Sequence, residues 1–574
     1  MNKLKFAGSL HNHTDFSNFR LRDAINTVES LMDYAIELGH EVVAITEHET
    51  IASSIRAEKY YNKIKKDNLN FKLIRGNEIY LVRNGLNANN YNKDVDRYFH
   101  FILLAKDLEG HRQIREVSSR AWNRSYIARR MRRVPTYYQD LIDIIGKNPG
   151  HVIGCTACLG GCLPTQLIRN RDTGAPSMDL IKRWIVQMQG IFGKDDFYFE
   201  MQPSFNKDQI YVNHKLVELG AEFGIKYIIT NDAHYLKKED RQIHKAFLNS
   251  QQGDREVDDF YATTYLMSDE EIREYMEKEM GEKVLQSAYQ TILEIKDKCE
   301  DYSLMKPLKI PRLKWYGVAL TTQSIEKYRK LIPYIDIFLN SEYEEDKLLA
   351  RRIIERIEND ATLNNQATYD EINACLEDTW VSSEVNGSRW SAYFLNLQNI
   401  IGTCWDAGTL VGCGRGSGVG FILLYLLGIT QINPLREKSQ TKRWRFLNPE
   451  RVSVLDVDID IEGGRRADVL KAFRRFYGED RVANVLTLKT EKSKSAILTA
   501  ARGLGIDVDT AQYLSSFIEA DRGQLRTLKQ TFYGDPDNGI SASKQFRIEM
   551  EENYPELWKV AQGIEGLING CGIH

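Results

Sequence analysis

Asp456-Val457-Asp458-Ile459-Asp460 alternates carboxylates with branched apolar residues. In an extended chain, side chains i, i+2 and i+4 share a face. Three carboxylates therefore line one side, and Val457, Ile459 and Ile461 line the other. Like charges this close repel unless a cation lies between them. Mg²⁺ and Mn²⁺, which prefer oxygen donors, fit that need. A Ca²⁺ site or a solvated acidic edge strand is the plainer alternative. Upstream lies Gly414-Arg415-Gly416-Ser417-Gly418, a loop suited to holding phosphate. Gly416 lets backbone approach a phosphate closely, and Ser417 can donate a hydrogen bond. The apolar run 421–429 reads as a helix whose N-terminus would face that phosphate. Carboxylates beside a phosphate loop are the equipment of two-metal phosphoryl or nucleotidyl transfer.

Composition sets the outer bounds. The 574 residues are enough for several domains. Hydrophobic content of 42% and charged content of 27% are globular values. Five of the eight cysteines are scattered, which suits a reducing cytoplasm, bacterial or that of a virus-infected host, rather than a secreted scaffold. Residues 1–9 lack the apolar core of a signal peptide. The run 421–429 is too short to span a bilayer, so no membrane role is expected. A net charge of −3 leaves nucleic-acid binding to local basic patches.

The first 240 residues or so alternate short apolar strands with helices. Strands are expected at 42–46, 71–74, 101–105, 152–154, 197–201 and 227–230, with an amphipathic helix at 29–38 stopped by Gly39. That rhythm implies a parallel sheet or an α/β barrel, with functional residues at strand C-termini. From about 269 to 374 the pattern is helical and charged, and 402–460 returns to α/β character. A basic amphipathic helix at 465–477 and a strand at 482–487 follow, then mostly helix. Arg112, Arg115, Arg120 and Arg124 spread over a broad helical face, followed by Arg129, Arg130, Arg132 and Arg133. A solvated face and a phosphate-contacting one remain equal readings.

Metal-ligating residue types recur at the strand ends. His11-x-His13 puts two imidazoles on one face. Asp23 follows, then Thr46-Glu47-His48, Gly76-Asn77-Glu78, His100, Cys158 and Asp232-Ala233-His234. Any one of these is commonly structural; together, at successive α/β units, they describe a metal site. Mixed His and carboxylate ligation suits Zn²⁺ or Mn²⁺ and phosphoester hydrolysis. Cys155-x-x-Cys158-x-x-x-Cys162 offers a rival structural zinc site, although no second cysteine pair has matching spacing.

This ordered set resembles the polymerase and histidinol phosphatase (PHP) domain. The resemblance implies metal ligands at His11, His13, Asp23, His48, Glu78, His100, Cys158, Asp232 and His234. Asp23 stands further from Ser17 than the family spacing, leaving Asp15 as a rival, and Glu47 replaces the usual Asp before His48. The complete set implies a working hydrolase.

Downstream, Tyr393-Phe394-Leu395, Gly414-Arg415-Gly416-Ser417, Tyr425-Leu426-Leu427-Gly428-Ile429-Thr430, Asn433-Pro434-Leu435 and Arg445-Phe446-Leu447-Asn448-Pro449-Glu450-Arg451-Val452-Ser453 run in order toward the aspartates. This series resembles C-family bacterial replicative DNA polymerases, the DNA polymerase III alpha subunits. Leu455 stands where a proline is usual. The resemblance implies a PHP distorted α/β barrel, then a nucleotidyltransferase-like palm and a helical thumb. Asp458 and Asp460 become palm ligands for Mg²⁺, with Asp456 in a less direct role. Arg415, Gly416, Ser417 and Arg445 are expected at the triphosphate of a deoxynucleoside triphosphate. Between 436 and 500, Lys and Arg outnumber Asp and Glu fifteen to ten, which suits a primer–template DNA track. Lys489, Lys492 and Lys494 are expected at DNA phosphates, the alternative being an exposed helix face.

The expected divisions are a PHP domain at 1–270, a first palm segment with a helical insertion at 271–488, a thumb at 489–565, and the start of a returning palm segment at 566–574. The family palm uses a third aspartate after the thumb, and the sequence stops at Gly570-Cys571-Gly572-Ile573-His574. A split polymerase is therefore expected, completed by a C-terminal polypeptide that would also reach the sliding clamp. A 3′→5′ proofreading exonuclease is the expected PHP activity. The alternatives are a stand-alone phosphoesterase and a non-catalytic DNA-binding scaffold.

Overall fold

The computed structural model describes residues 3–92, 95–128, 131–251, 259–436, 442–450, 455–521 and 523–573. Arg129 and Arg130 of the basic run, Arg451-Val452-Ser453 and His574 lie outside the described residues. The chain forms two compact units, one of residues 1–305 with 486–574 and one of residues 306–485.

The first unit is built on one sheet. Its strands are β1 (Val42–Ile45), β2 (Lys72–Val82), β3 (Phe99–Ala105), β6 (Thr136–Tyr137), β7 (Val152–Cys155), β8 (Phe197–Met201) and β9 (Tyr227–Ile229). Between β3 and β6 a separate hairpin pairs β4 (Tyr126–Ala128) with β5 (Met131–Arg133). The sheet order is β1-β2-β3-β7-β8-β9, with β6 beside β2. The sheet is mixed rather than parallel, because β3 runs antiparallel to both β2 and β7. Helices pack on it through apolar stripes such as Val28, Leu31, Met32 and Ala35 of Val28–Glu37. The helix Cys162–Thr173 contributes Leu163 and Leu167 to the core in the same way.

The sheet curls, and residues 7–13 bridge its two edges. Ser9 and Asn12 carbonyls accept from Ala44 and Thr46 at the β1 edge, at 3.1 and 2.9 Å. At the β9 edge the His13 N–H donates to the Ala233 carbonyl at 2.9 Å. The segment His11 and His13 ride on is thus pinned from both sides.

Residues 486–573 add β10 (Leu486–Thr490), a short hairpin of β11 (Ala520–Asp521) and β12 (Gln524–Leu525), and β13 (Ile568–Ile573). β10 pairs antiparallel with β13. Helix Ser493–Gly503 packs Ala496, Ile497, Ala500 and Ala501 against Ile243, Ala246 and Phe247 of helix Arg241–Asn249. The strand expected at 482–487 is displaced to 486–490, and Lys489 lies on it rather than on a helix.

The second unit is helical, its core shared by Glu344–Glu358, Gln366–Asn386 and Trp390–Asp406. Among its described residues no strand ladder forms, so the α/β character expected for 402–460 appears as extended chain and short turns. The helix expected over 421–429 covers only Ile422–Leu426. Residues 456–460 join no strand ladder; one antiparallel bridge joins Val411 to Ile461 beside them. Among the described residues no helix is long and apolar enough to cross a membrane.

Candidate metal centre and phosphoryl-transfer residues

The first unit gathers His11, His13, Glu78 and Asp232 so that one ligand atom from each lies within 4.8 Å of the others. His13, His48 and His234 form an adjoining set. The strands explain the convergence. His11 and His13 project from the bridging segment, Glu78 from mid-β2, and His48 from the turn after β1. A parallel bridge joins His48 to Glu78. His100 lies inside β3, opposite Tyr80 of β2, and Glu78 sits inside a strand longer than the expected 71–74.

Distances knit these side chains into one cluster. His11 Nε2 lies 3.0 Å from Glu78 Oε2 and 3.2 Å from Asp232 Oδ1. His13 Nε2 lies 3.0 and 3.1 Å from the same two oxygens. His48 Nε2 meets Asp23 Oδ2 at 2.8 Å, and His234 Nε2 meets that oxygen at 3.5 Å. His100 Nδ1 pairs with Glu78 Oε1 and approaches Cys158 Sγ at 3.5 Å. All nine residues suggested by the family resemblance are therefore brought to one place. Asp15 is not. It is buried, and its Oδ2 accepts the Ile568 N–H at 3.0 Å.

The cluster fits cations. His11 Nε2 and His13 Nε2 face each other at 3.1 Å across two carboxylates. The Asp232 Oδ1 atom is buried and faces both imidazole nitrogens, an oxygen donor shared between two histidines. Burial penalises a proton on His11 and His13, yet Asp232, Glu78 and, at His11, Glu200 overcome it. The His13 pKa rises to about 9. Burial would raise the Glu78 and Asp23 pKa values, but the neighbouring histidines hold both well below the carboxylate range. Burial, then Asp232 and Glu78, push the Cys158 thiol well up, so it becomes a ligand where a cation displaces its proton. Among the described residues, the non-glycine residues with positive φ are Glu49 at 59°, Ala157 at 60° and Asp232 at 50°. Each belongs to the cluster or stands next to one of its members, and such strain concentrates at functional sites.

Sequence reading missed the residues that orient these ligands. Glu200 of β8 is buried, and its Oε1 accepts from His11 Nδ1 at 2.6 Å and Thr230 Oγ1 at 2.7 Å. A carboxylate behind a histidine fixes its tautomer and aims the other nitrogen at a metal. The only sequence signal was an acid inside an otherwise apolar strand. Ser17 donates to Glu47 at 2.6 Å and contacts His13 Nδ1 at 3.0 Å. Arg20 pairs with Glu49 at 2.7 Å and lies over the Tyr80 ring. A pocket of about 180 Å³ opens on the centre, lined by Arg20, Asp23, His48, Tyr80, His100 and Asp232 among others. The cysteine triplet does not converge as zinc ligands: Cys162 Sγ instead accepts from Gln166 at 2.7 Å.

In the second unit Asp456, Asp458 and Asp460 are exposed, while Val457, Ile459 and Ile461 are half-buried. The expected alternation holds without a ladder because Leu455 and the apolar side anchor the segment. The Tyr393 hydroxyl donates to the Leu455 carbonyl at 3.0 Å, and the Gly412 N–H to the Asp460 carbonyl at 2.8 Å. Arg415 reaches both acids, 3.7 Å from Asp458 and 3.5 Å from Asp460. Gly416 has φ +67°, and Ser417 follows it in the turn Gly416–Gly420. That turn, not a long helix N-terminus, borders the acids. Arg445 is exposed, and among the described residues no ion pair ties it to the aspartates. Lys489 and Lys492 are exposed and Lys494 half-buried.

Comparison with known proteins follows these two groups of residues. Residues 9–204 match the PHP domain family, and residues 347–574 match the bacterial DNA polymerase III alpha NTPase domain. A DNA-directed DNA polymerase of Bacillus phage SPbeta is 37% identical over 98% of this chain and 44% of its own length. The DNA polymerase III alpha subunit of Aquifex aeolicus is 27% identical over 98% of this chain and 47% of its own. That of Thermus aquaticus is 28% identical over 100% and 47%. The chain spans less than half the length of these relatives. A PHP domain thus precedes an alpha-subunit NTPase domain, and almost the whole chain is similar to a part, under half, of bacterial DNA polymerase III alpha subunits and of the phage polymerase.

Proposed function

We propose that the chain serves templated DNA synthesis through two phosphoryl-transfer centres. In the first unit the PHP cluster hydrolyses phosphodiesters at a DNA 3′ end, a proofreading exonuclease. The convergence of His11, His13, Glu78 and Asp232 within 4.8 Å carries this reading. Zn²⁺ or Mn²⁺ held there would act as a Lewis acid and lower the pKa of a water. The protein's part is to keep Glu78 and Asp23 ionised, orient His11 through Glu200, and present Arg20 at the pocket wall.

In the second unit Asp458 and Asp460 would hold Mg²⁺, with Asp456 beside them. Arg415, Gly416, Ser417 and Arg445 would receive the triphosphate, and Lys489, Lys492 and Lys494 the DNA backbone. The exposed alternation of acids and the reach of Arg415 support this assignment. The corresponding divisions are PHP at 1–270, palm at 271–488, thumb at 489–565 and returning palm from 566. Full synthesis belongs to an assembly containing the remaining portion its relatives possess, in one polypeptide or two, which would also engage the sliding clamp. Primer–template DNA and deoxynucleoside triphosphates are the substrates.

Paired variants in that assembly test the division of labour. His11→Ala/His13→Ala should abolish 3′ shortening and retain primer extension. Asp458→Asn/Asp460→Asn should do the reverse. Loss of both activities in both variants, with folding intact, would refute separate centres.

A further inference from the structure

The basic run between Arg112 and Arg133 divides into two chemically different parts. On the helix Leu108–Asn123, Arg112 pairs with Glu109 at 2.7 Å and Glu116 at 3.1 Å. Arg120 pairs with Glu116 at 2.7 Å, and Arg124 with Asp140. Charge on that face is largely neutralised within the fold.

The β4–β5 hairpin is different. Arg132 is exposed, and its guanidinium donates to the Ser125 hydroxyl at 3.0 Å. Arg133 lies over the rings of Tyr98 at 5.1 Å and Tyr91 at 5.9 Å, and its Nε finds no acceptor. Neither arginine meets a carboxylate among the described residues. Tyr91 contacts Tyr98 and Tyr126 with ring centroids 6.2 and 6.5 Å apart, and the Tyr98 and Tyr126 hydroxyls are hydrogen-bonded. Ile127 on the same hairpin is 58% exposed.

This group adjoins the metal centre. Arg20 Nη1 donates to Met131 Sδ of β5 at 3.2 Å, and Arg20 lines the pocket with His48, His100 and Asp232. Arg20 is the one arginine or lysine in the pocket lining, and it is already paired with Glu49. Beyond the phosphate at the 3′ end, the lining therefore leaves the strand without a free arginine or lysine. Arg132 and Arg133, with no ion pair among the described residues, stand beside aromatic rings and supply what it lacks, since single strands are held by phosphate pairing and base–aromatic stacking.

We propose that the β4–β5 hairpin is the ledge on which single-stranded DNA lies as its 3′ end enters the metal pocket, with Arg132 and Arg133 on phosphates and the tyrosine group and Ile127 against bases. This rests on reading the pocket as a 3′-exonuclease site. The test measures anisotropy of a dye-labelled oligo-dT of about six nucleotides, within single-strand site sizes, in EDTA so that cleavage plays no part. Arg132→Ala/Arg133→Ala should lower affinity about tenfold near 0.1 M salt and flatten the log K against log salt slope by about 1.4. Arg132→Ala alone, an exposed change that leaves the tyrosine packing alone, should flatten it by about 0.7. Arg112→Ala/Arg120→Ala, on the neutralised face, should change neither. Unchanged binding in the hairpin variants, or an equal loss in the helix control, overturns the ledge. Hydrolysis of bis(p-nitrophenyl) phosphate with Mn²⁺ reads the metal centre separately. Hydrolysis with hairpin-independent binding sinks the ledge alone, while hairpin-dependent binding without hydrolysis sinks the exonuclease reading and keeps the ledge.

Discussion

At Glu200 the metal centre depends on one proton. The His11 Nδ1–H donates to this buried carboxylate at 2.6 Å, which leaves Nε2 facing Glu78 and Asp232. Glu200→Gln keeps an acceptor but removes the charge that raises His11 basicity. It should weaken Mn²⁺ or Zn²⁺ binding about 10- to 100-fold, measured by calorimetry, with the metal-free melting temperature as a folding control. Unchanged affinity would remove Glu200 from the site. His40 makes a different prediction. It is buried, its Nε2 lies 3.1 Å from the Met267 carbonyl, and burial depresses its pKa from 6.5 to about 4. A depressed histidine contributes stability that is fully present above pH 6.5 and is lost as pH falls toward 4. The loss should approach about 3 kcal/mol, seen as a urea-midpoint difference that His40→Gln no longer shows. The clustered residues were legible as candidates because His-x-His and Asp-x-His are spaced as the resemblance to the PHP domain requires. The choice of Asp23 over Asp15 was not, since it depends on which carboxylate the fold turns toward His48 and His234.

Elements were legible where local pattern decides them and illegible where partners are distant. The strands at 42–45, 197–201 and 227–229 and the helix Arg466–Tyr477 follow directly from periodicity. The antiparallel β3 does not, because a βα rhythm says nothing of strand direction. β10 takes its register from β13, far along the chain, which no local window contains. The aspartate segment kept its alternation without a ladder because burial of Val457, Ile459 and Ile461 suffices to orient it. The docking of Ser493–Gly503 on Arg241–Asn249 depends on Gly503, where an added Cβ would sit 1.9 Å from the Ala246 carbonyl oxygen. Gly503→Ala should cost about 1–3 kcal/mol, measured by chemical unfolding. Gly505→Ala, with open space but φ +73°, should cost about 1 kcal/mol from backbone strain alone. Equal, negligible effects would show that the two helices do not pack this closely.

At the scale of the molecule, two compact units carry two sets of acidic residues with opposite characters. The first set is buried, strained and knitted by histidines, an arrangement that could hold metal ions. The second is exposed and bordered by Arg415 and a glycine turn. The similarity to DNA polymerase III alpha subunits was legible from ordered motifs spread along the chain. The grouping of residues 486–574 with residues 1–305 was not, because it depends on side chains such as Ala246 and Ala500 meeting across long sequence separations. The central claim is that the first unit is a metal-dependent 3′-exonuclease. The most direct measurement incubates the purified chain with a 5′-labelled primer on its template and Mn²⁺, resolving products on a denaturing gel. The account predicts stepwise shortening from the 3′ end that EDTA stops and that His11→Ala/His13→Ala lacks. A primer that stays full length with metal-loaded, folded protein would contradict it.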